Sequence, residues 1–224
     1  FLKRKGEYGF VFPVFHGEWG EDGLVTAFLK TLGIPYAFSP FATHALCMDK
    51  SWANAVAAAA GLRVPHSRLV RNYDDAKKMK LPFPVIVKPN RGGSSFATSK
   101  AKNRREFLDA LEEVFTKAKD DAIVQEFVDG EEYSVPVYGP AEAPEALPVM
   151  HVKLIRSDFF DYEEKYLSDG SGEVFGDTQK KLAKDLSSAA RAMWEAAGCR
   201  GIARVDFRVR KGVPYFLEVN TIPG

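Results

Sequence analysis

Gly201-Ile202-Ala203-Arg204-Val205-Asp206-Phe207 and Tyr215-Phe216-Leu217-Glu218-Val219-Asn220 decide the fold of this 224-residue chain. Each stretch alternates apolar and polar residues, the period of a half-buried strand. Lys211-Gly212 lies between them as a turn signal, so the pair predicts a β-hairpin. Centred on Gly212, the hairpin puts Asp206 opposite Glu218 and Arg204 opposite Asn220. Facing carboxylates repel by roughly 0.2–1 kcal/mol. A divalent cation turns that repulsion into a site, since carboxylate and amide oxygens are hard ligands suited to Mg²⁺. The plainer alternative is the solvated face of an antiparallel sheet.

Composition narrows the classes. Hydrophobic residues make up 46% and charged residues 27%, ordinary for a globular chain. A net charge of +1 with dispersed basic residues gives no general attraction to nucleic acid or acidic lipid. Cys47 and Cys199 are too few and too far apart for a disulfide framework or a zinc site, so two reduced thiols in a cytoplasmic protein are expected. The longest apolar run, Ala53 to Ala60, is too short to span a membrane, and no signal peptide is visible. Phe1 without an initiator Met, and a stop at Pro223-Gly224 directly after a site-like strand, suggest truncation at both ends.

Upstream of the hairpin, Gly9 to Phe15 predicts a buried strand, followed by the glycine-rich loop His16-Gly17-Glu18-Trp19-Gly20-Glu21-Asp22-Gly23 and a helix stopped at Gly33. With a strand at Ile34–Phe38, this is the unit of a parallel α/β sheet. Further expectations are a helix from Asp49 to Ala60, a strand at Phe83–Pro89, an amphipathic helix from Arg104 to Phe115, and strands at Ile123–Phe127 and Tyr133–Tyr138. Arg156 to Phe175 reads as a long loop, and Asp177 as the cap of a helix carrying Leu182, Leu186, Met193 and Trp194 on its core face.

Lys88 ends an apolar strand before Gly92-Gly93-Ser94-Ser95. A lysine there holds phosphate as a point charge, while glycine-freed backbone N–H groups cradle the anion. The loop is equally readable as a plain turn, and no Walker A or G-x-G-x-x-G pattern occurs. Glu132, at a strand end, is placed to hold a ribose or to be a surface acid. His16, before the glycine-rich loop, is placed to orient a substrate or to hold structure. Lys165-Tyr166 falls in the long loop, where solvation is the simple reading. His44, His66 and His151 show no metal spacing and receive no role.

Taken in order, these motifs resemble one family. They are His16-Gly17-x-x-Gly20-Glu21-Asp22-Gly23, Met48-Asp49-Lys50, Val87-Lys88-Pro89-x-Arg91-x-Gly93-Ser94-Ser95, Asp161-Tyr162-Glu163-x-Lys165-Tyr166, Gly201-x-x-Arg204-Val205-Asp206 and Glu218-Val219-Asn220-Thr221-x-Pro223-Gly224. Across nearly the whole chain they are similar to the D-alanine–D-alanine ligases. The resemblance implies a mixed α+β and α/β chain with an ATP-grasp fold, two α+β subdomains sandwiching ATP. The implied division is a partial N-terminal α/β domain at 1–47, a central subdomain at 48–121 and a C-terminal subdomain at 122–224. It also implies ligation of two D-alanines for peptidoglycan. ATP phosphorylates the first carboxylate and the second amine attacks the acyl phosphate.

Carried over residue by residue, Lys50, Lys88 and Ser95 hold ATP phosphates, Gln125, Glu126 and Val128 face adenine, and Glu132 takes the ribose. Asp206, Glu218 and Asn220 bind two Mg²⁺ ions, or Mn²⁺. Arg204 stabilises the tetrahedral intermediate, separately from the acids. Ser94 and Tyr166 position substrates, Lys165 contacts the transferred phosphate from a mobile loop, and His16 lies near the substrates. The implied partners are small molecules, with no nucleic acid or membrane, and a homodimer at full length. Chemically, phosphoryl transfer asks for charge neutralisation, positioning and exclusion of water, which lysines, an arginine and an acidic pair under a lid supply.

The chain departs from the family pattern at Phe96-Ala97, where the family usually has Val-Gly, and at Gln125, commonly glutamate. It lacks segments that hold the first amine and the second carboxylate, so it is expected to bind ATP better than it catalyses. Tyr166 goes with D-alanine rather than D-lactate as second substrate. The alternatives are another ATP-grasp carboxylate–amine ligase and a nucleotide-binding protein without ligase activity.

Overall fold

The computed structural model describes residues 6–7, 9–93, 96–153, 172–175 and 178–223. Its helices are α1 (Leu24–Thr31), α2 (Phe41–Met48), α3 (Lys50–Ala59), α4 (Tyr73–Lys78), α5 (Arg104–Glu113) and α6 (Lys180–Ala197). Its strands are β1 (Ser67–Val70), β2 (Val85–Pro89), β3 (Ser99–Ala101), β4 (Ala122–Glu126), β5 (Glu131–Gly139), β6 (Glu145–Ala146), β7 (Met150–Lys153), β8 (Gly172–Phe175), β9 (Gly201–Arg210) and β10 (Val213–Asn220). Two antiparallel sheets result. The first has the order β1-β4-β2-β3, and the second β10-β9-β5-β7-β8 with β6 paired to β5.

The first sheet buries one face against α4 and α5. Val85 and Val87 of β2 and Val124 of β4 meet Phe107, Leu111 and Val114 there. Asn103 caps α5: its side chain accepts from Glu106 N (3.1 Å), and the Glu106 carboxylate reaches back to accept from Lys102 N, one residue before the cap (2.7 Å). The second sheet packs on α6, whose apolar stripe of Leu186, Ala190, Met193 and Trp194 is fully buried. Gly198, left-handed at φ 67°, ends that helix, with Cys199 N donating to Trp194 O (2.9 Å).

The hairpin has the expected pairs, Asp206 with Glu218 and Arg204 with Asn220, but reaches them by a detour. Lys211 and Gly212 both have positive φ, 52° and 76°, the geometry of a tight two-residue turn. That turn sets Phe216 opposite Phe207, so a regular ladder would put Leu217 opposite Asp206. A bulge between Phe216 and Glu218 inserts the extra residue. It also reverses the alternation of faces. Phe216 is buried in the core, whereas Glu218, two residues later, lines the opposite, cavity side.

Several expectations need correction. Gly9–Phe15 is not a buried strand: its sheet contact is one parallel bridge, Val11 to Tyr36, and Phe10, Phe12 and Val14 are 57–69% exposed. An apolar run specifies burial only where another layer covers it. The expected parallel unit is thus reduced to that bridge. The helix expected from Asp49 to Ala60 is α3, with Asp49 as its N-cap; unexpected is a second helix, α2, directly before it, separated by the extended Asp49 (φ/ψ −84°/102°). Residues 172–175 are strand β8 rather than loop, while 154–171 lie outside the described residues. The N-cap of α6 is Gln179; Asp177 lies outside the described residues.

The 121/122 boundary falls inside the first sheet, because β4 pairs with β1 and β2. The sheets divide after Glu126 instead. Likewise Cys47, Ala53 and Ala57 pack in the core of the second sheet, so 48–66 does not belong with the first. Gly130 makes the crossover possible. It lies against the backbone of Val209 so closely that a Cβ would strike the carbonyl.

Phe107→Ala is expected to destabilise the protein by about 3–5 kcal/mol. Phe96→Ala, at an exposed side chain in the turn before β3, is expected to cost less than about 0.5 kcal/mol. Urea unfolding of both variants checks the contrast.

Candidate functional site

A cavity of about 360 Å³ opens between the two sheets. Its walls follow from strand parity. Val85 and Val87 point into the α5 core, so Ile86 and Lys88 point the other way, into the cavity. Gln125 is the cross-strand partner of Ile86 and faces the same way. The connection after β4 supplies Phe127 and Val128, and β5 adds Glu132 and Ser134. The hairpin contributes Arg204, Asp206, Arg208, Glu218 and Asn220, and Met48 and Lys50 stand where α2 gives way to α3. His16, Gly17 and Glu21 close the rim.

Each candidate residue within the described part lines this one cavity: His16, Lys50, Lys88, Gln125, Glu126, Val128, Glu132, Arg204, Asp206, Glu218 and Asn220. Ser94, Ser95, Lys165 and Tyr166 lie outside the described residues.

Asp206 is the best-tied group. It is 5% exposed and accepts from Ser134 Oγ (2.7 Å), Arg204 Nε and Nη2 (2.9 and 3.0 Å) and Asn220 Nδ2 (2.7 Å). Arg204 is therefore a counter-ion of Asp206 in this structure, contrary to the expectation of a role separate from the acids. Two residues apart on one strand, the side chains share a face and reach each other without strain. Glu218 lies 3.9 Å from Lys50 Nζ, which also donates to the Gly92 carbonyl.

The opposing charges set the titration of the site. Burial pushes the Lys88 ammonium down to about 8; Glu218 opposes that shift and Lys50 adds to it. Burial pushes the Glu132 carboxyl up to about 7. Arg208, 4.0 Å away, pulls it back, and Asp206 and Glu218 push it further up. The Phe127 ring meets two cations, with Lys100 Nζ 3.6 Å and the Arg208 guanidinium 5.1 Å from its centre.

The turn after β2 is braced from α3. Asp49 caps that helix through Trp52 N (3.1 Å) and takes Arg91 Nε and Nη2 at 3.1 Å each. Asn90 Oδ1 accepts from Ser51 N (3.0 Å). Burial raises the Asp49 carboxyl, but the side chains of Ser51 (Oγ to Oδ1, 2.6 Å) and Asn90, the Trp52 N–H and the Arg91 charge outweigh it and hold the group below its ordinary value. Ala97 sits at φ 50°, a left-handed conformation that suits glycine, at the position where the family pattern has one.

The end of β10 is held by three residues, of which sequence reasoning read His16, as a structural alternative, and missed Glu21 and His44. Ile222 N donates to Glu21 Oε1 (3.1 Å), and the His16 Nδ1–Ile222 O distance is 2.7 Å. Glu21 Oε2 accepts from Gly17 N (3.0 Å). His44, fully buried, has its Nδ1 2.6 Å from Thr221 Oγ1, and burial pushes its pKa down to about 4. His44 therefore has a structural role that its spacing did not signal. Ser134, Arg208 and Lys100 also went unread, because cross-strand neighbours from distant segments leave no local pattern. Cys47 and Cys199 are buried free thiols. A hydrogen bond between them, with burial, raises the Cys47 pKa.

The donor set fits a hard cation. Asp206, Glu218 and Asn220 are cross-strand and same-face neighbours offering carboxylate and amide oxygens, with no thiol or imidazole among them. No group of three or more His, Cys, Asp or Glu gathers among the described residues, so such an ion would complete its shell from phosphate and water. No helix among those residues is long and apolar enough to cross a membrane.

Comparison with known proteins agrees with this geometry. The family described as D-ala D-ala ligase C-terminus matches residues 55–224. The D-alanine–D-alanine ligase of Clostridium botulinum (strain Alaska E43 / Type E3) is 38% identical over 221 residues, 96% of this chain and 71% of that protein. That of Clostridium beijerinckii is 37% identical over 99% of this chain and 73% of its own length. Among solved structures, the Bacillus anthracis D-alanine–D-alanine ligase complexed with ATP superposes with a TM-score of 0.83 at 28% identity, covering 100% of this chain and 71% of the other. The Enterococcus faecalis D-Ala:D-Ser ligase VanG gives 0.84 at 33% identity, over 96% of this chain and 64% of the other. With the family matched over residues 55–224, relatives 37–38% identical over nearly the whole chain and solved ligases of the same fold, the chain belongs to the D-alanine–D-alanine ligase family and has its ATP-grasp fold.

Proposed function

We propose that this cavity joins two D-alanines at the expense of ATP. The observation that carries the reading is the convergence, in one cavity, of two lysines suited to phosphate with a facing pair of carboxylates. Lys88 and Lys50, with Lys165 and Ser95 from segments outside the described residues, bind the phosphates. Gln125, Glu126 and Val128 receive adenine, and Glu132 the ribose hydroxyls. Asp206, Glu218 and Asn220 hold magnesium, which neutralises phosphate charge when bound.

In the first step a carboxylate oxygen of one D-alanine attacks the γ-phosphorus. The bond to the β-bridging oxygen breaks, giving ADP and D-alanyl phosphate. In the second, the amine of the other D-alanine adds to the acyl carbon, loses a proton, and phosphate leaves. Arg204, held at the wall by Asp206, supplies positive charge where the acyl oxygen becomes anionic. His16 stands at the rim, and Ser94 and Tyr166 orient the substrates. Magnesium, a homodimer of the full-length protein and a cytoplasmic location accompany this reading. A second reading, D-serine as the second substrate, draws on the likeness to VanG.

Phosphate release by the full-length protein with ATP and single amino or hydroxy acids tests the function. Release with D-alanine, and not with L-alanine or D-lactate, is the expected result; a preference for D-alanine plus D-serine would favour the second reading, and no release with any substrate would refute both.

Glu218→Gln is expected to lower turnover by roughly 10²-fold or more. It should also raise the Mg²⁺ concentration needed for half-maximal ATP binding; an unchanged Mg²⁺ requirement would remove Glu218 from the metal set.

ATP affinity is expected to be greatest between about pH 7 and 8. Below the Glu132 value of about 7 its carboxylate is protonated and weakens as a ribose acceptor, and above the Lys88 value of about 8 its ammonium loses the charge that phosphate needs. Glu132→Gln should flatten the acid limb and Lys88→Met the alkaline limb, as read by calorimetric titration across pH.

A further inference from the structure

Cys47 and Cys199 form a pair that the ligation chemistry does not use. Both are free thiols and both are buried, at 4% and 0% exposure. The fold grips the chain on either side of Cys199. Ser39 Oγ accepts from Arg200 N at 3.3 Å, and Thr43 Oγ1 shares its proton between Ala197 O at 2.9 Å and Gly198 O at 3.0 Å. Cys47 stands one turn beyond Thr43, on the same face of α2. Its sulfur is in hydrogen-bond contact with that of Cys199. Cys47 also lines the cavity, so a small solute in the cavity can reach one member of the pair.

We propose that the pair is an oxidative modification site that controls the cavity: hydrogen peroxide converts Cys47 and Cys199 to a disulfide, which weakens nucleotide binding until a thiol reductant reopens it. For the nucleotide, this rests on the reading of the cavity as an ATP site. The Cys47 thiolate attacks one peroxide oxygen, the O–O bond breaks, and the departing hydroxide takes up the proton that Cys47 lost, giving water and a sulfenic acid. The Cys199 sulfur then attacks the Cys47 sulfur. The S–S bond forms, and the sulfenic hydroxyl leaves with the Cys199 proton as a second water. The two thiols lose two electrons and one peroxide gains them. The hydrogen bond to Cys199, with burial, holds the Cys47 thiol above its ordinary range, so thiolate is scarce and the first step is slow. The pair answers to sustained peroxide rather than to a brief pulse.

The cross-link acts on the cavity through α2. A disulfide needs its sulfurs about 2 Å apart, closer than hydrogen-bond contact, so the bond draws the last turn of α2 toward the end of α6. Lys50 follows three residues after Cys47, with its Nζ on the Gly92 carbonyl and 3.9 Å from Glu218. A close-packed interior passes such a shift on rather than absorbing it. The ammonium that meets phosphate is thereby drawn out of place.

The test exposes the full-length protein to hydrogen peroxide for hours, maps disulfide-linked peptides by mass spectrometry and titrates ATP with Mg²⁺ by calorimetry. The expected result is a peptide joining Cys47 to Cys199 and ATP affinity lowered about tenfold, an ordinary coupling between linked sites. Dithiothreitol should reverse both. Cys199→Ser should bind ATP as the reduced wild type does and, under peroxide, carry oxygen on Cys47 without a cross-link. Two free thiols after an exposure that oxidises the denatured protein would make the pair inert core packing and overturn the proposal. A cross-link that leaves ATP affinity unchanged would also overturn it. So would an equal loss of affinity in peroxide-treated Cys199→Ser, which would assign the effect to oxygen on Cys47 or Met48. If Cys199→Ser does not fold, the wild-type peptide map and its reversal by dithiothreitol decide. Reduced protein that fails to bind ATP would refute the ATP site and the coupling with it, while the peptide map still reads the cross-link by itself.

Discussion

A carboxylate taken out of water must be met by donors, and Asp206 is met by four from three strands. Ser134 comes from β5, Arg204 from β9 itself and Asn220 from β10. Burying such a group without these partners would cost several kcal/mol, so the register of the three strands and the charge state of the site are one problem. The extensive β5–β9 and β9–β10 pairing solves it on the apolar side, through Tyr133, Val135, Phe207 and Phe216. The opposite face is thereby free to carry ions. Core and site are two faces of one sheet, each fixing the other.

The segment just beyond this sheet is held by residues far away in sequence. His16, Glu21 and His44 all reach Thr221 or Ile222, immediately after Asn220. Such a clamp converts a strand end, which would otherwise fray, into a fixed wall. On the other side Asp49 and Arg91 fasten the turn after β2 to the start of α3. The cavity is thus braced both at the end of β10 and at the turn after β2.

Strong local periods were readable from the sequence and long-range company was not. The α5 stripe, the α6 stripe and the Asp206–Glu218 pairing each follow from spacing within a few residues. The glycine preference at position 97 was also legible, and Ala97 occupies a left-handed conformation there. Helix α2 was invisible because Phe41–Met48 is apolar on most sides and has no polar face to set a period. Strands β1 and β3, with four and three residues, are too short to show an alternation. Gly9–Phe15 misled for the opposite reason, since a continuous apolar run says nothing about which layer covers it. In the cavity, the charged residues with strand-end or turn signals were found. Ser134, Glu21 and His44 were not, because their task appears only when β5, the N-terminal loop and the end of β10 meet.

The bulge at Leu217 has a consequence for how the hairpin can change length. Leu217 is the surplus residue between two ladders that are each regular, one running from the turn to Phe216 and one carrying the Glu218–Asp206 and Asn220–Arg204 pairs. Removing it would leave Phe216 opposite Phe207 and Glu218 opposite Asp206, with every other side chain on its present face. Removing any residue from Glu218 to Asn220, or adding one there, would exchange the ionic and apolar faces beyond that point. The hairpin therefore has a single position at which a deletion is silent in register, and homologous chains one residue shorter there would present the same acids to the same cavity.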